Sequence, residues 1–442
     1  MNLDKNKNLR MMGECITMSE KKNKERRRRE RAKKEESKVN KISDVKMAYI
    51  MYGKKVFVIP IVIAIILGAI IWGIVYNARK NNAPQENADN QKEQINYIWG
   101  EIKPGKKNKN NYTMVTSSDG IQVSVPTGYT ASSASDENSV NGGFVIYEGT
   151  EAVTDSNKWE AQCNRNQYVW IPIADVSDMY WRDQTTGKKY GTWYNFDKSA
   201  TTYAKGSNRS YEPQTTIDDK QSTNLTQYLN GMTREDFLME MEIDFDKMLN
   251  SVATYGGYYI GRYQTGDLSQ ATPVVKRMNT DIGSQTWYTM WKKSPRISTG
   301  GANVHMIWGI QWDETLKWLI DTGEKTYAEI ASDSTSWGNY YNSSFTYYGD
   351  ISKKKGTKSM NTNTRIPSGA YEGANANNVF DLAGNVYDWT CESRGSGTGA
   401  YRYSRGGGYG SGGDYRPCSI RGYDHPAFSY DNFGLRCSLY IK

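Results

Sequence analysis

The chain has 442 residues, a mean hydropathy of -0.75 and a formal charge of +8, which suits a largely water-soluble protein with room for an anchor and one or two domains. The charge sits at one end: Met1 to Lys55 carries about 18 Lys/Arg against about 8 Asp/Glu, and the remainder is close to neutral. A near-neutral body excludes nucleic-acid binding driven by bulk electrostatics, so no nucleic acid is expected among its partners.

Residues 1–55 cannot bury a core, and the run from Lys21 to Arg29 reads as a disordered basic tail on the cytoplasmic side. Val56 to Tyr76 is an uncharged apolar run of roughly 21 residues, long enough as a helix to cross ~30 Å of hydrocarbon. Basic residues crowd its N-terminal side, and only Arg79 and Lys80 lie just beyond it. The positive-inside rule then predicts a single-pass anchor in a cell membrane, N-terminus cytoplasmic and the C-terminal domain extracellular, as on a bacterial cell surface. Residues 77–111, rich in Asn, Lys, Gln and Glu, read as an extracellular stalk.

From Tyr112 the pattern becomes globular. Residues 112–166 form a short β-rich lead-in, with strands expected in GIQVSVPTGY and GGFVIYEG. Gln167 to Ile173 is a dense apolar strand whose Pro172 marks an edge or an end. Residues 174–231 are polar with scattered Tyr and Trp and read as long loops. Thr233 caps a helix running to about Val252, with Leu238, Met241, Phe245, Met248, Leu249 and Val252 on its core face and Gly256 and Gly257 after it. Tyr258 to Tyr263 is the next strand. A second helix begins near Gln311, buries Trp312, Leu316, Leu319 and Ile320, and stops at Gly323. Two helices, short strands and much irregular chain predict an α+β domain over 167–442.

Five cysteines occur. Cys15 falls on the cytoplasmic side. Cys163, Cys391, Cys418 and Cys437 fall outside, where an even number predicts two disulfides in one of three connectivities. Metal binding is the rival, but no pair has CxxC spacing. His305 precedes an apolar run and reads as structural. His425 lies in a polar loop. No GxSxG, Walker or HExxH motif is present.

Three ordered segments near the C-terminus are specific. Phe380 to Thr390 reads FDLAGNVYDWT, Ser404 to Tyr409 reads SRGGGY, and Phe433 to Cys437 reads FGLRC. They resemble the DLAGNVWEWT, RGGSW and GFRC segments of the formylglycine-generating-enzyme/sulfatase-modifying-factor family, and GGYYIGRYQTG at 256–266 and MIWGIQWDETLKWL at 306–319 resemble its earlier blocks. The resemblance implies a variant C-type-lectin-like fold. It also implies a structural calcium on the Asp381 side chain and the carbonyls of Leu382, Gly384 and Val386, a set of hard oxygens that suits Ca²⁺. The plainer reading is that Asp381 and Asn385 shape turns. Catalytic members hold copper on two cysteines after the RGGS-like motif. Here those places fall at Ser411 and near Arg416, and neither residue is a thiolate for Cu(I). No copper and no formylglycine-generating activity are therefore expected. The family's further cysteines match Cys418 and Cys437 and imply disulfide members.

Tyrosine is abundant, at 33, with 13 Trp and only 9 Phe. Between Ser393 and Asn432 it is mixed with Gly, Ser, Asp and Arg, a vocabulary favoured on adaptable binding surfaces. Variable proteins of diversity-generating retroelements share the fold and vary this segment, where mutagenesis of Asn codons yields Tyr, Ser, Asp and Gly. Tyr403, Tyr409, Ser411, Asp414, Tyr415, Tyr423, Asp424, His425, Tyr430 and Asp431 are the candidate ligand-binding residues. The expected function is a non-catalytic lectin-like domain that binds an extracellular protein or glycan. The alternatives are a divergent enzyme of the formylglycine-generating type and a structural envelope component.

Overall fold

The computed structural model describes residues 101–184, 187–206, 227–394 and 401–442, all within one compact unit spanning Lys92–Lys442. The basic tail, the apolar run at 56–76 and most of the stalk lie outside the described residues. Among the described residues no helix is long and apolar enough to cross a membrane.

The core is a six-stranded antiparallel sheet. Its strands run in the order Ala302–Met306, Cys437–Ile441, Gly257–Gly261, Gln167–Pro172, Val145–Glu148 and Tyr129–Ala131. The apolar runs read from the sequence occupy its middle. Val169, Ile171, Tyr258, Tyr259, Ile260 and Leu439 are buried. Pro172 stands opposite Gly257 at a strand end, where its missing N–H costs no ladder bond.

The two expected helices form. Thr233 accepts from the Asp236 N–H at 3.1 Å and starts Arg234–Tyr255, and Gly256 ends it at φ 82°. Met241, Phe245, Met248, Leu249 and Val252 are buried as the 3.6-residue period requires, while Phe237 is buried in place of Leu238, which is half-exposed. Gly309–Asp321 begins where the Gln311 side chain accepts from the Trp308 N–H at 3.0 Å. It buries Trp312, Leu316 and Leu319. Shorter helices at Lys158–Asn164, Trp287–Lys293 and Tyr327–Ala331 were not expected.

Two other expectations need correction. The region 174–231 is not plain loop: Tyr180–Arg182 pairs with Lys189–Gly191, and Trp193–Asn195 pairs with Ala204–Gly206, while 207–226 lies outside the described residues. The end of the stalk segment also belongs to the domain. Gly105 N–H donates to Thr254 Oγ1 at 2.7 Å, and Asn111 Nδ2 donates to the Lys442 carbonyl at 2.9 Å.

A second sheet carries the C-terminal motifs, in the order Gly422–Asp424, Tyr401–Arg405, Tyr387–Arg394, Phe433–Leu435. The last two strands run parallel, with Asp388 opposite Gly434. The chain then passes through Arg436 directly into the final strand of the large sheet.

Candidate ligand-binding face

Alternation along Tyr401–Arg405 builds the face. Arg402 and Ser404 are buried, whereas Tyr401 is exposed and Tyr403 half-buried on the other side; the alternation ends at Arg405, which is buried. Arg402 explains why the inward side is fixed. Its guanidinium lies 4.2 Å from the centroid of the Trp287 ring and donates to the Cys391 carbonyl at 2.9 Å. The neighbouring strand places Tyr423 directly opposite Tyr403.

From this edge the exposed aromatic side chains form a chain of contacts. Ring centroids are 6.3 Å apart for Tyr403 and Tyr423, 5.5 Å for Tyr401 and Tyr423, and 6.5 Å for Tyr401 and His425. The line continues through His425 and Phe428 at 5.1 Å, Phe428 and Tyr430 at 6.0 Å, and Tyr430 and buried Phe433 at 5.7 Å. Tyr423, Phe428 and Tyr430 are 47%, 50% and 42% exposed, so the ridge is a surface and not a core. Arg394 lies over Tyr423, its guanidinium 3.6 Å from the ring centroid. The loop beneath is held by its backbone: Trp287 N–H donates to the Pro426 carbonyl and Ser284 N–H to the Tyr430 carbonyl, each at 3.0 Å.

The structure gathers most of the sequence candidates here. Tyr403, Tyr423, His425 and Tyr430 are on the ridge. Asp424 caps the turn, its Oδ1 accepting from the His425 N–H at 2.7 Å. Tyr409 donates to Asp431 Oδ2 at 2.8 Å, and burial together with that carboxylate pushes its phenol up to about 12. Ser411 Oγ is 3.0 Å from the Tyr387 hydroxyl, and the Tyr387 ring stacks on Phe433 at 5.3 Å. Asp414 and Tyr415 are elsewhere. Asp414 Oδ1 accepts from Asn342 at 3.1 Å, and Tyr415, 72% exposed, lines a hollow of about 450 Å³ with Trp193, Phe196 and Arg421. Tyr401, Phe428 and Arg394 were missed. The Tyr-x-Tyr alternation at 401–403 was the signal for Tyr401.

The RGGG motif is the foundation of the face. Arg405 is fully buried and donates to Asp313 Oδ1 at 2.7 Å. Arg421 pairs with the other oxygen of Asp313 and with Glu392 Oε1, the latter at 3.2 Å. Gly406 and Gly407 adopt φ 89° and 77°, and a Cβ on Gly407 would meet the Arg416 carbonyl and the Tyr340 ring.

The cysteines do not fulfil the disulfide expectation. Cys163, Cys391, Cys418 and Cys437 are all free thiols, and no disulfide occurs among the described residues. Each is packed by different neighbours. Cys391 Sγ faces the Met306 carbonyl at 3.4 Å, and Cys437 Sγ accepts from Thr265 Oγ1 at 3.4 Å. The Cys418 N–H donates to Ser334 Oγ at 2.9 Å, and Cys163 is half-buried on the short helix Lys158–Asn164. Burial raises all four thiols, Cys437 to about 12, which suits small apolar core groups better than reactive thiolates. At the two family copper positions, Ser411 is bonded as above and the Arg416 guanidinium lies 4.8 Å from the Tyr415 ring centroid.

The implied calcium set fits in part. Asp381 is buried. Its Oδ2 accepts from the Gly369 N–H at 2.7 Å, its Oδ1 is buried with no hydrogen-bond partner, and burial raises its pKa. That free oxygen suits a cation. The Val386 carbonyl already accepts from Gln264 Nε2 at 2.7 Å. Asp381 and Asn385 sit at φ 56° and 60°, as the turn reading requires. Among the described residues no group of three or more His, Cys, Asp or Glu side chains is arranged to hold a metal.

Comparison with known proteins points the same way as the motifs. The family described as sulfatase-modifying factor enzyme 1-like domain matches residues 122–440. No curated protein sequence matches the chain. Among solved structures, CarF is 13% identical with a TM-score of 0.28, covering 42% of this chain and 87% of its own. Variable protein 1 of Treponema denticola is 14% identical with a TM-score of 0.27, covering 41% of this chain and 84% of its own. At these scores neither likeness supports an inference about ligand or activity. The family match spans well over half of the sequence and accords with the α+β, C-type-lectin-like expectation, and the chain belongs to the sulfatase-modifying factor enzyme 1-like domain family.

Proposed function

We propose that this protein is a membrane-anchored, surface-displayed binding protein whose lectin-like domain recognises an extracellular protein or glycan through the aromatic ridge from Tyr403 to Tyr430. The observation that carries the reading is the continuity of that ridge: rigid rings in mutual contact, exposed or half-exposed at the edge of a sheet whose opposite side is held by Arg402. Such rings supply large contact area at small conformational cost. The uncharged apolar run at 56–76 and the basic residues that precede it support the anchor.

The domain is non-catalytic on this reading. Ser411 and Arg416 stand where the family's copper thiols are expected, and a hydroxyl and a guanidinium do not hold Cu(I). Its C-terminal loops are diversified: the residues on the ridge are of the types that Asn-codon mutagenesis produces, and a reverse-transcriptase gene with a near-copy of the coding segment for this region is expected beside the gene. Calcium, where it binds, is structural at Asp381.

The test is a glycan array and a displayed-peptide library probed with the full-length protein and with a Tyr423→Ala/Tyr430→Ala variant. Ligands that bind the native protein and not the equally stable variant support the reading. Ligands retained by the variant refute the ridge, and Cu(I)-dependent oxidation of a cysteine peptide by the native protein would restore the enzymatic alternative.

A further inference from the structure

We propose that Lys189 and Asp246 condense to an intramolecular isopeptide bond that staples the hairpin Tyr180–Gly191 to the helix Arg234–Tyr255. Lys189 Nζ lies 2.5 Å from Asp246 Oδ2, and the two side chains are 1% and 4% exposed. They come from elements 57 residues apart in sequence. Lys189 opens the strand paired with Tyr180–Arg182, and Asp246 is in the middle of the helix, on the turn that buries Phe245 and Leu249. Tyr190, next to Lys189, is buried and stacks on Trp181 at 4.7 Å.

This setting favours condensation over a permanent ion pair. Two buried charges bear a desolvation cost that neutralisation removes. Burial pushes the Asp246 carboxyl up to about 7 against the pull of Lys189, and the Glu242 charge one turn away adds to the shift. The carboxyl is therefore readily protonated near neutral pH, and an acid is a far better electrophile than a carboxylate. Holding amine and acid in contact replaces a bimolecular encounter with an intramolecular one, which lowers the entropic part of the barrier.

The step balances without a co-reactant. A proton passes from Lys189 Nζ to Asp246 across their hydrogen bond, leaving an amine and a carboxylic acid. The nitrogen lone pair attacks Cγ and forms the N–C bond. The C–OH bond breaks, and the hydroxyl leaves with a second proton from nitrogen as water. One ammonium and one carboxylate become one neutral amide and one water.

The inference is independent of any ligand on the aromatic ridge. Its test is the intact mass of the denatured full-length protein, followed by peptide mapping. The expected result is a native mass one water below that of the sequence, a branched peptide joining Lys189 to Asp246, and full mass for Lys189→Arg and for Asp246→Ala. A native protein at full mass overturns the proposal, as does a water loss mapped to other residues. Neither outcome depends on whether the variants fold.

Discussion

Arg436 Nε meets Asp388 Oδ2 at 3.1 Å, with both side chains fully buried. The pair joins two of the family motifs, FGLRC and NVYDWT, at the point where the chain leaves the small sheet for the large one. The same guanidinium donates to the Gly261 and Phe380 carbonyls at 2.8 Å and to the Asp381 carbonyl at 3.1 Å. One side chain thus satisfies groups from both sheets and from the LAGN turn. Its role is to tie the two sheets and the LAGN turn together.

Removing Arg436 strands a buried carboxylate. Arg436→Met is expected to cost about 3–5 kcal/mol in equilibrium urea unfolding. The double variant with Asp388→Asn is expected to recover part of that loss, since no uncompensated charge then remains. A single variant as stable as the native protein would contradict the hub.

The ridge separates binding from stability. Tyr423→Ala and Tyr430→Ala remove exposed rings, so each is expected to change unfolding free energy by less than about 1 kcal/mol. For a ligand that uses the ridge, loss of one central ring is expected to weaken binding by about 2 kcal/mol, roughly thirtyfold, read by titration calorimetry. Arg402→Ala, by contrast, is expected to destabilise the domain, because it empties the space over Trp287.

Glu314 sets a pH dependence. Burial raises its carboxyl to about 7, opposed by Lys317, and its Oε1 is buried with no hydrogen-bond partner. The native state therefore keeps a proton that the unfolded chain releases near pH ~4.3. The contribution is fully present below that pH and is lost as pH rises through about 7. Glu314→Gln is expected to gain about 3 kcal/mol at pH ~8 and almost nothing at pH ~4, measured by denaturant unfolding at the two pH values. An equal effect at both would rule this out.

Calcium is testable at Asp381. If the ion binds there, free calcium at about 100 times its Kd is expected to stabilise the native protein by about 2.7 kcal/mol, seen as a rise in Tm. Asp381→Asn is expected to abolish the rise. A rise that survives the substitution places the ion elsewhere.

The segments that were legible in the sequence are those governed by local rules. Thr233 and Gly256 delimit a helix because capping and left-handed backbone involve only neighbouring residues. Val169 to Ile171 and Tyr258 to Ile260 announce strands because their apolar runs are continuous. The three C-terminal motifs marked the region that carries the ridge, and Tyr403, Tyr423, His425 and Tyr430 were legible there from composition together with the resemblance to variable proteins.

What the sequence by itself determined was therefore the long helices, the central strands, the family and the segment that carries the aromatic ridge. Only the tertiary structure decided which residues meet. Tyr423 comes opposite Tyr403, and Tyr401 and Phe428 join them, because strand register and loop anchoring are non-local. Asp414 and Tyr415, close in sequence to the others, are carried away by Asn342 and Lys198. The cysteines count as an even set in sequence yet remain apart as thiols, since pairing depends on where packing puts each Cβ and not on how many there are. Lys189 and Asp246 show the same lesson in reverse: a lysine in a polar stretch and an aspartate on an amphipathic helix carry no local signal, and only folding presses them together out of water.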